Sequence, residues 1–178
     1  MANFLIAIES IYPAEGKYVR SLEVMEILPR LGDLRVWLTK MQQSDSFVSP
    51  CPGEEFAALI VVYDSQVSHD NRSAVTDALI KQGCRYGVCR GYDCSGWDDA
   101  LDWSYLYSDP DFSPPDERFV MSTWHENEPF EDTIFHFLKC TGFDNFVPRN
   151  FVVAIIGAGP HEEVIKLIRS ELAAVYDN

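Results

Sequence analysis

The chain has 178 residues, with 14 Lys+Arg against 28 Asp+Glu and a formal net charge of −14. Apolar residues make up 47% and aromatics 13%, which excludes intrinsic disorder. A chain this long buries roughly 70% of its unfolded surface, so its core needs neither disulfide nor structural metal. The acidity argues against nucleic-acid and anionic-membrane partners, because Lys and Arg do the work at both.

In chain order, the five-residue apolar run Phe4–Ile8 has no basic region before it. It is too short for a signal peptide or a membrane span and predicts a first strand. No later run approaches the about 20 apolar residues of a membrane helix. The five cysteines are Cys51, Cys84, Cys89, Cys94 and Cys140. Their odd number and the lack of an export signal point to free thiols in a reducing cytosol, hence a cytoplasmic protein. Cys84, Cys89 and Cys94 are spaced more widely than the C-x2-C pairs of zinc turns. Cys89 and Cys140 read as small buried apolar residues. Leu22–Leu28 has helical spacing until it meets Pro29. Leu34–Met41 fits either a helix or a strand. Ser49-Pro-Cys-Pro-Gly53 is a loop. It separates an irregular part, residues 1–55, from a regular one, residues 56–178, within a single α/β domain.

From Phe56 the pattern is regular. Phe56–Tyr63 is a continuous apolar run, as expected of a strand buried on both faces. A helix over Ser73–Gln82 ends at Gly83. Arg85–Arg90 is the next strand. Trp97–Tyr107 is the next helix, with Asp93 or Ser95 placed to cap it. A Pro/Asp-rich loop, Ser108–Asp116, leads to a strand over Arg118–Thr123. Pro129 suits the first position of a helix that ends near Gly142. Phe151–Ile156 is the last strand. The final helix carries Val164, Ile165, Ile168, Leu172 and Val175 as its stripe. Four successive β-then-α units predict a three-layer α/β/α sandwich on a mostly parallel sheet of about five strands, flavodoxin-like or Rossmann-like.

Open sheets of this class hold ligands at the carboxyl ends of their strands. The loops there gather Asp64, Asp93, Cys94, Trp124, His125, Glu126, Glu128 and His161. Cys94 and His125 form the sharpest pairing. A thiol at a helix N-terminus is activated by the dipole, and a histidine oriented by Glu126, Glu128 or Asp93 can serve as its base. Asp64, Asp93, Trp124, Glu128 and His161 are the accompanying binding candidates. Trp97, Trp103 and Trp124 otherwise read as packing. No motif calls for a cofactor. Gly157-Ala-Gly159 lacks the third glycine of a dinucleotide loop, and Pro160, Glu162 and Glu163 after it oppose an anion.

The stretches Gly83-Cys-Arg-Tyr86, Asp93-Cys-Ser-Gly-Trp-Asp-Asp99 and Val120-Met-Ser-Thr-Trp-His-Glu-Asn-Glu-Pro129 resemble a bacterial family catalogued as a domain of unknown function. The resemblance spans residues 56–158, and Trp-His-x-x-Glu-Pro is its most distinctive part. It implies a small soluble α/β protein and draws attention to the Asp93–Trp97 and Trp124–Glu128 loops, without giving any residue a role. On charge, the expected function is binding: an acidic protein that covers a basic protein partner, in the manner of an inhibitor or immunity protein, or that holds a small molecule. The alternative is a small hydrolase or transferase. It would use Cys94 with His125, or a divalent metal on His125, Glu126, Asp93 and His161.

Overall fold

A computed structural model describes residues 5–6, 23–27 and 33–176. Its strands are β1 (Leu5–Ile6), β2 (Glu23–Glu26), β3 (Arg35–Met41), β4 (Phe56–Val62), β5 (Cys84–Gly91), β6 (Met121–His125) and β7 (Asn150–Ile156). Its helices are α1 (His69–Lys81), α2 (Cys94–Leu106), α3 (Phe130–Lys139) and α4 (His161–Tyr176). The strands form one sheet in the order β1-β2-β3-β7-β4-β5-β6. The five from β3 to β6 are parallel, while β2 and β1 add antiparallel at the β3 edge.

β4 and β7 are buried at every position. Each has a parallel strand on both sides and a packed layer on both faces, which is why neither alternates apolar with polar residues. On one face Phe56, Ala58, Ile60 and Val62 of β4 meet Val75 and Leu79 of α1 and Trp97 and Leu101 of α2. On the other, Ala57, Leu59 and Val61 meet Ile134 and Phe137 of α3 and Val164, Ile165 and Ile168 of α4. Burying a side chain such as Leu59 or Ile60 contributes about 1.5–3 kcal/mol, so these two layers hold the fold.

Counted from β4, the order of the regular strands is 3-2-1-4, which is the Rossmann order and not the flavodoxin one. The chain moves outward through β5 and β6, then crosses back through α3 to place β7 on the other side of β4. The helices following β4 and β7 therefore lie on opposite faces, and the switch point falls between those two strands.

The structure corrects several expectations. The fifth parallel strand is Arg35–Met41, not the N-terminal run, of which Leu5–Ile6 forms an antiparallel edge strand. The rest of Phe4–Ile8 lies outside the described residues, as do Leu22, Leu28 and Pro29. Glu23–Glu26, read as helical, is a strand paired with Trp37–Lys40. A segment that short gains too few intrahelical bonds to compete with a complete sheet partner. The third strand of the regular part runs over Met121–His125, three residues later than expected, because Asp116–Arg118 closes a 3-10 turn and Arg85 takes the Phe119 carbonyl (2.8 Å). α1 and α2 begin earlier than the apolar spacing indicated, at His69 and Cys94. Pro129 stands one place before α3 instead of inside it. Cys140 is exposed, while the other four thiols are buried.

Candidate functional site

The loops after β4, β5, β6 and β7 lie along one edge of the sheet, since those strands are parallel. The expected site residues are thus on a common edge, but their side chains go different ways.

At the switch point the two glycines of Gly157-Ala-Gly159 make room for the protein itself. Gly157 has φ +92°, and a Cβ there would come within 2.7 Å of the Asp64 Cβ. A Cβ on Gly159 would strike the ring of Tyr63. The space a phosphate would need in a glycine loop is taken by Tyr63 and Asp64. Asp64 spends its Oδ1 on the Gln66 N–H (2.8 Å) in an Asx turn. His161 starts α4, with Nδ1 3.3 Å from the Gly159 carbonyl and Nε2 3.3 Å from Glu162.

Cys94 and His125 are adjacent in the fold yet point to opposite faces. Cys94 is the first residue of α2 and packs among Trp97, Cys89 and Val62. It is 2% exposed. Burial pushes its thiol up from the ordinary range, and the Glu126 carboxylate pushes it further. Both effects oppose the thiolate that nucleophilic chemistry requires. His125 ends β6 with its ring toward α3. Its Nδ1 contacts the Glu128 carboxylate, its Nε2 lies 3.2 Å from Thr123 Oγ1, and its ring stands 4.7 Å from that of His136. Both ring nitrogens are therefore engaged within the chain. His136 continues the network to the Tyr86 hydroxyl (3.1 Å). Burial, with His125 beside it, holds His136 below the ordinary histidine range, although Glu128 opposes this. Arg90 pins the connecting loop. It donates to the carbonyls of His125 (3.3 Å) and Glu128 (2.9 Å) and to Thr133 Oγ1 (2.8 Å), over the Phe130 ring.

Asp93 occupies the N-cap position of α2 in the left-handed region (φ +52°), and its side chain does not cap. Its carboxylate instead pairs with Arg72 of α1. A Cβ at Gly96 would collide with that ion pair, so the glycine of Asp93-Cys-Ser-Gly-Trp keeps α1 and α2 tied. β7 and β6 are three strand spacings apart, roughly 14 Å at about 4.8 Å each. His161 and His125 therefore do not converge. Among the described residues, no group of three or more His, Cys, Asp or Glu is placed to hold a metal ion.

The exposed feature lies on α2 and the loop after it. Trp103 (56% exposed) stacks on Tyr107 (62%) at 5.7 Å, and Phe112 (57%) meets Tyr107 edge-on at 5.3 Å. Asp99, Asp102 and Asp111 are exposed around this stack. Between Gly91 and Glu117 there are eight Asp and Glu and no Lys or Arg, so this segment carries −8 of the total −14. Sequence reasoning read Trp103 as packing. The signal available is the i, i+4 pair Trp103 and Tyr107, which the helical period turns away from the stripe of the buried Trp97 and Leu101.

A family model described as a domain of unknown function (DUF7684) matches residues 36–174. No curated protein and no solved structure matches the chain. No helix among the described residues is long and apolar enough to cross a membrane.

Proposed function

The chain belongs to this family of domains of unknown function, and from that premise we propose that it is an interaction protein whose α2 surface docks a basic protein. The observation that carries this reading is the continuous exposed stack Trp103–Tyr107–Phe112 inside the cation-free segment Gly91–Glu117. Aromatic side chains give large contact area at low entropic cost and dominate binding energy at interface centres. The surrounding carboxylates steer a basic partner and repel an acidic one. The strand-end edge supports the same reading from the other side. Its thiol is buried, its glycines are filled by Tyr63 and Asp64, and the His125 ring is engaged at both nitrogens.

The test starts with capture of a partner from the source cells and its identification, followed by titration of the purified pair. The partner should have a basic pI. Affinity should fall steeply between low and physiological salt. Replacing Trp103 and Tyr107 together by Ala should weaken binding at least about tenfold, as expected of interface anchors, while leaving the urea midpoint unchanged because both side chains are exposed. An acidic partner, or binding indifferent to both substitutions, overturns the proposal.

A further inference from the structure

β6 is the last strand of the sheet. It pairs with β5 on one side, and among the described residues nothing pairs with the other. Which of its backbone groups face outward follows from the neighbouring strands. Val62 turns its side chain to the α1–α2 face and gives its carbonyl to Tyr92, on the β5 side (2.8 Å). Tyr63 turns to the opposite face and donates to Ile156 of β7 (2.9 Å). In a strand, the side-chain face and the hydrogen-bonding side alternate together. Ser122, bound to Asp102 of α2 (2.8 Å), and Trp124, in register with the core residue Cys89, both face α2. Their N–H and C=O groups therefore point away from β5, and among the described residues no hydrogen bond engages them.

Natural sheets blunt an open edge with Lys, with Pro or with a bulge. Met121–His125 contains neither residue, and its pairing with β5 runs without a register shift. The edge is flanked instead by charge of one sign. Asp98 and Asp102 stand one turn apart on α2 beside Ser122, and the Asp98 Oδ1 has no hydrogen-bond partner. Glu126 is exposed just after β6. From Gly91 to Pro129 there are ten Asp and Glu, against Arg118 as the single Lys or Arg. Trp124 is 55% exposed on the same face. A second copy of the chain would bring these carboxylates against their own kind, which is destabilising between paired strands. A cationic strand meets them with the opposite charge.

We infer that β6 takes up an extended segment of a basic partner as an added strand, its backbone on Ser122 and Trp124 and its Lys or Arg side chains toward Asp98, Asp102 and the Trp124 ring. The inference rests on the reading of a basic protein docked at α2 and adds the mode of binding. Trp103 of the aromatic stack follows Asp102 directly, so one partner can span both.

The intact chain is titrated by amide NMR with a capped heptapeptide of alternating Lys and Val. Saturable shifts should centre on Ser122, Thr123 and Trp124, with a Kd of about 1 mM or below. The counterpart with Glu in place of Lys should not saturate. Two further peptides carry backbone N-methyl groups, one on its Lys residues and one on its Val residues. Only one of these sets of N–H groups can face β6, so one methylated peptide should lose at least about tenfold and the other less than about threefold. Ser122→Pro removes an outward N–H and no bond to β5, and should cost at least about tenfold, whereas Ser122→Ala should cost less than about threefold. The methylated pair tests the unsubstituted chain whether or not Ser122→Pro folds. Equal binding of the two methylated peptides, full binding by folded Ser122→Pro, binding of the Glu peptide, shifts mapping elsewhere, dimerisation of the chain through β6, or no saturable binding each overturn the inference. Binding of the captured partner separates it from the reading beneath it. An acidic partner overturns both, whereas a basic one lost with Trp103 and Tyr107 but indifferent to Ser122→Pro overturns the edge pairing alone.

Discussion

Tyr63 lies across Gly159 because the chain there has no Cβ to push the ring away. Replacing Gly159 by Ala forces the ring or the loop to move, and over-filling of this kind typically costs about 1–3 kcal/mol. The loss should appear as a lower urea midpoint. Tyr63→Leu in the same chain should restore a large part of it, since the two changes share one space. Equal losses with and without Tyr63 would show that the two residues do not compete for it. Asp98 makes a second prediction at this scale. It is 7% exposed, and its Oδ1 is buried with no hydrogen-bond partner. Burial raises its carboxyl; Ser122 holds it back, and Asp102 and Asp99 push it further. The ionised form is therefore disfavoured in the folded state. Asp98→Asn should stabilise the protein by about 1 kcal/mol at pH 7. The gain should disappear below about pH 3.9, where the carboxyl is protonated in both folded and unfolded chains.

Among the elements, α3, β5, β6 and the loop after β6 share a partly buried polar seam of Tyr86, His136, His125 and Glu128. His136 is held below its ordinary range, whereas in the unfolded chain it takes a proton near about pH 6.5. Its contribution to stability is therefore complete above that pH and is lost as the pH falls through the window below 6.5. Urea midpoints from pH 8 to 5 should decline on this account, and His136→Gln should flatten the decline. An unchanged slope in the variant would assign it to other groups. The same elements show how far the sequence could be read. The buried strands Phe56–Val62 and Asn150–Ile156 announce themselves as unbroken apolar runs, and α3 and α4 by their spacing. The Cys94–His125 pairing rested on position along the chain. A strand sends successive side chains to opposite faces. Starting β6 at Met121 and ending it at His125 fixes the imidazole on the α3 side, while Cys94 faces the α1–α2 core. That register depends on Arg85 holding the Phe119 carbonyl and on a 3-10 turn, neither of which has a local signature. The switch-point glycines were legible as glycines, but their occupant, Tyr63, is about 95 residues away and no local pattern links the two.

Over the whole molecule, the charge of −14 separates into regions. The Gly91–Glu117 segment is wholly acidic around an aromatic stack, and Lys81, Arg85 and Arg118 gather beside its Tyr105 and Tyr107, at the edge where the parallel strands begin. The strand order carries a further consequence. β3 and β4 are joined by residues 42–55, yet they are not neighbours, because β7 lies between them and pairs with both. The middle of the sheet is thus the strand made last. Until Asn150–Ile156 has been synthesised, β3 and β4 each present an open, apolar edge, the kind that recruits other chains. A chain ended at Arg149 should accumulate in the insoluble fraction, and adding residues 150–178 as a separate polypeptide should recover soluble material. A soluble, monomeric 149-residue product would contradict this. The keystone strand makes folding of the sheet wait for the segment synthesised after all its other strands, and so places the period of greatest exposure to aggregation before that segment emerges.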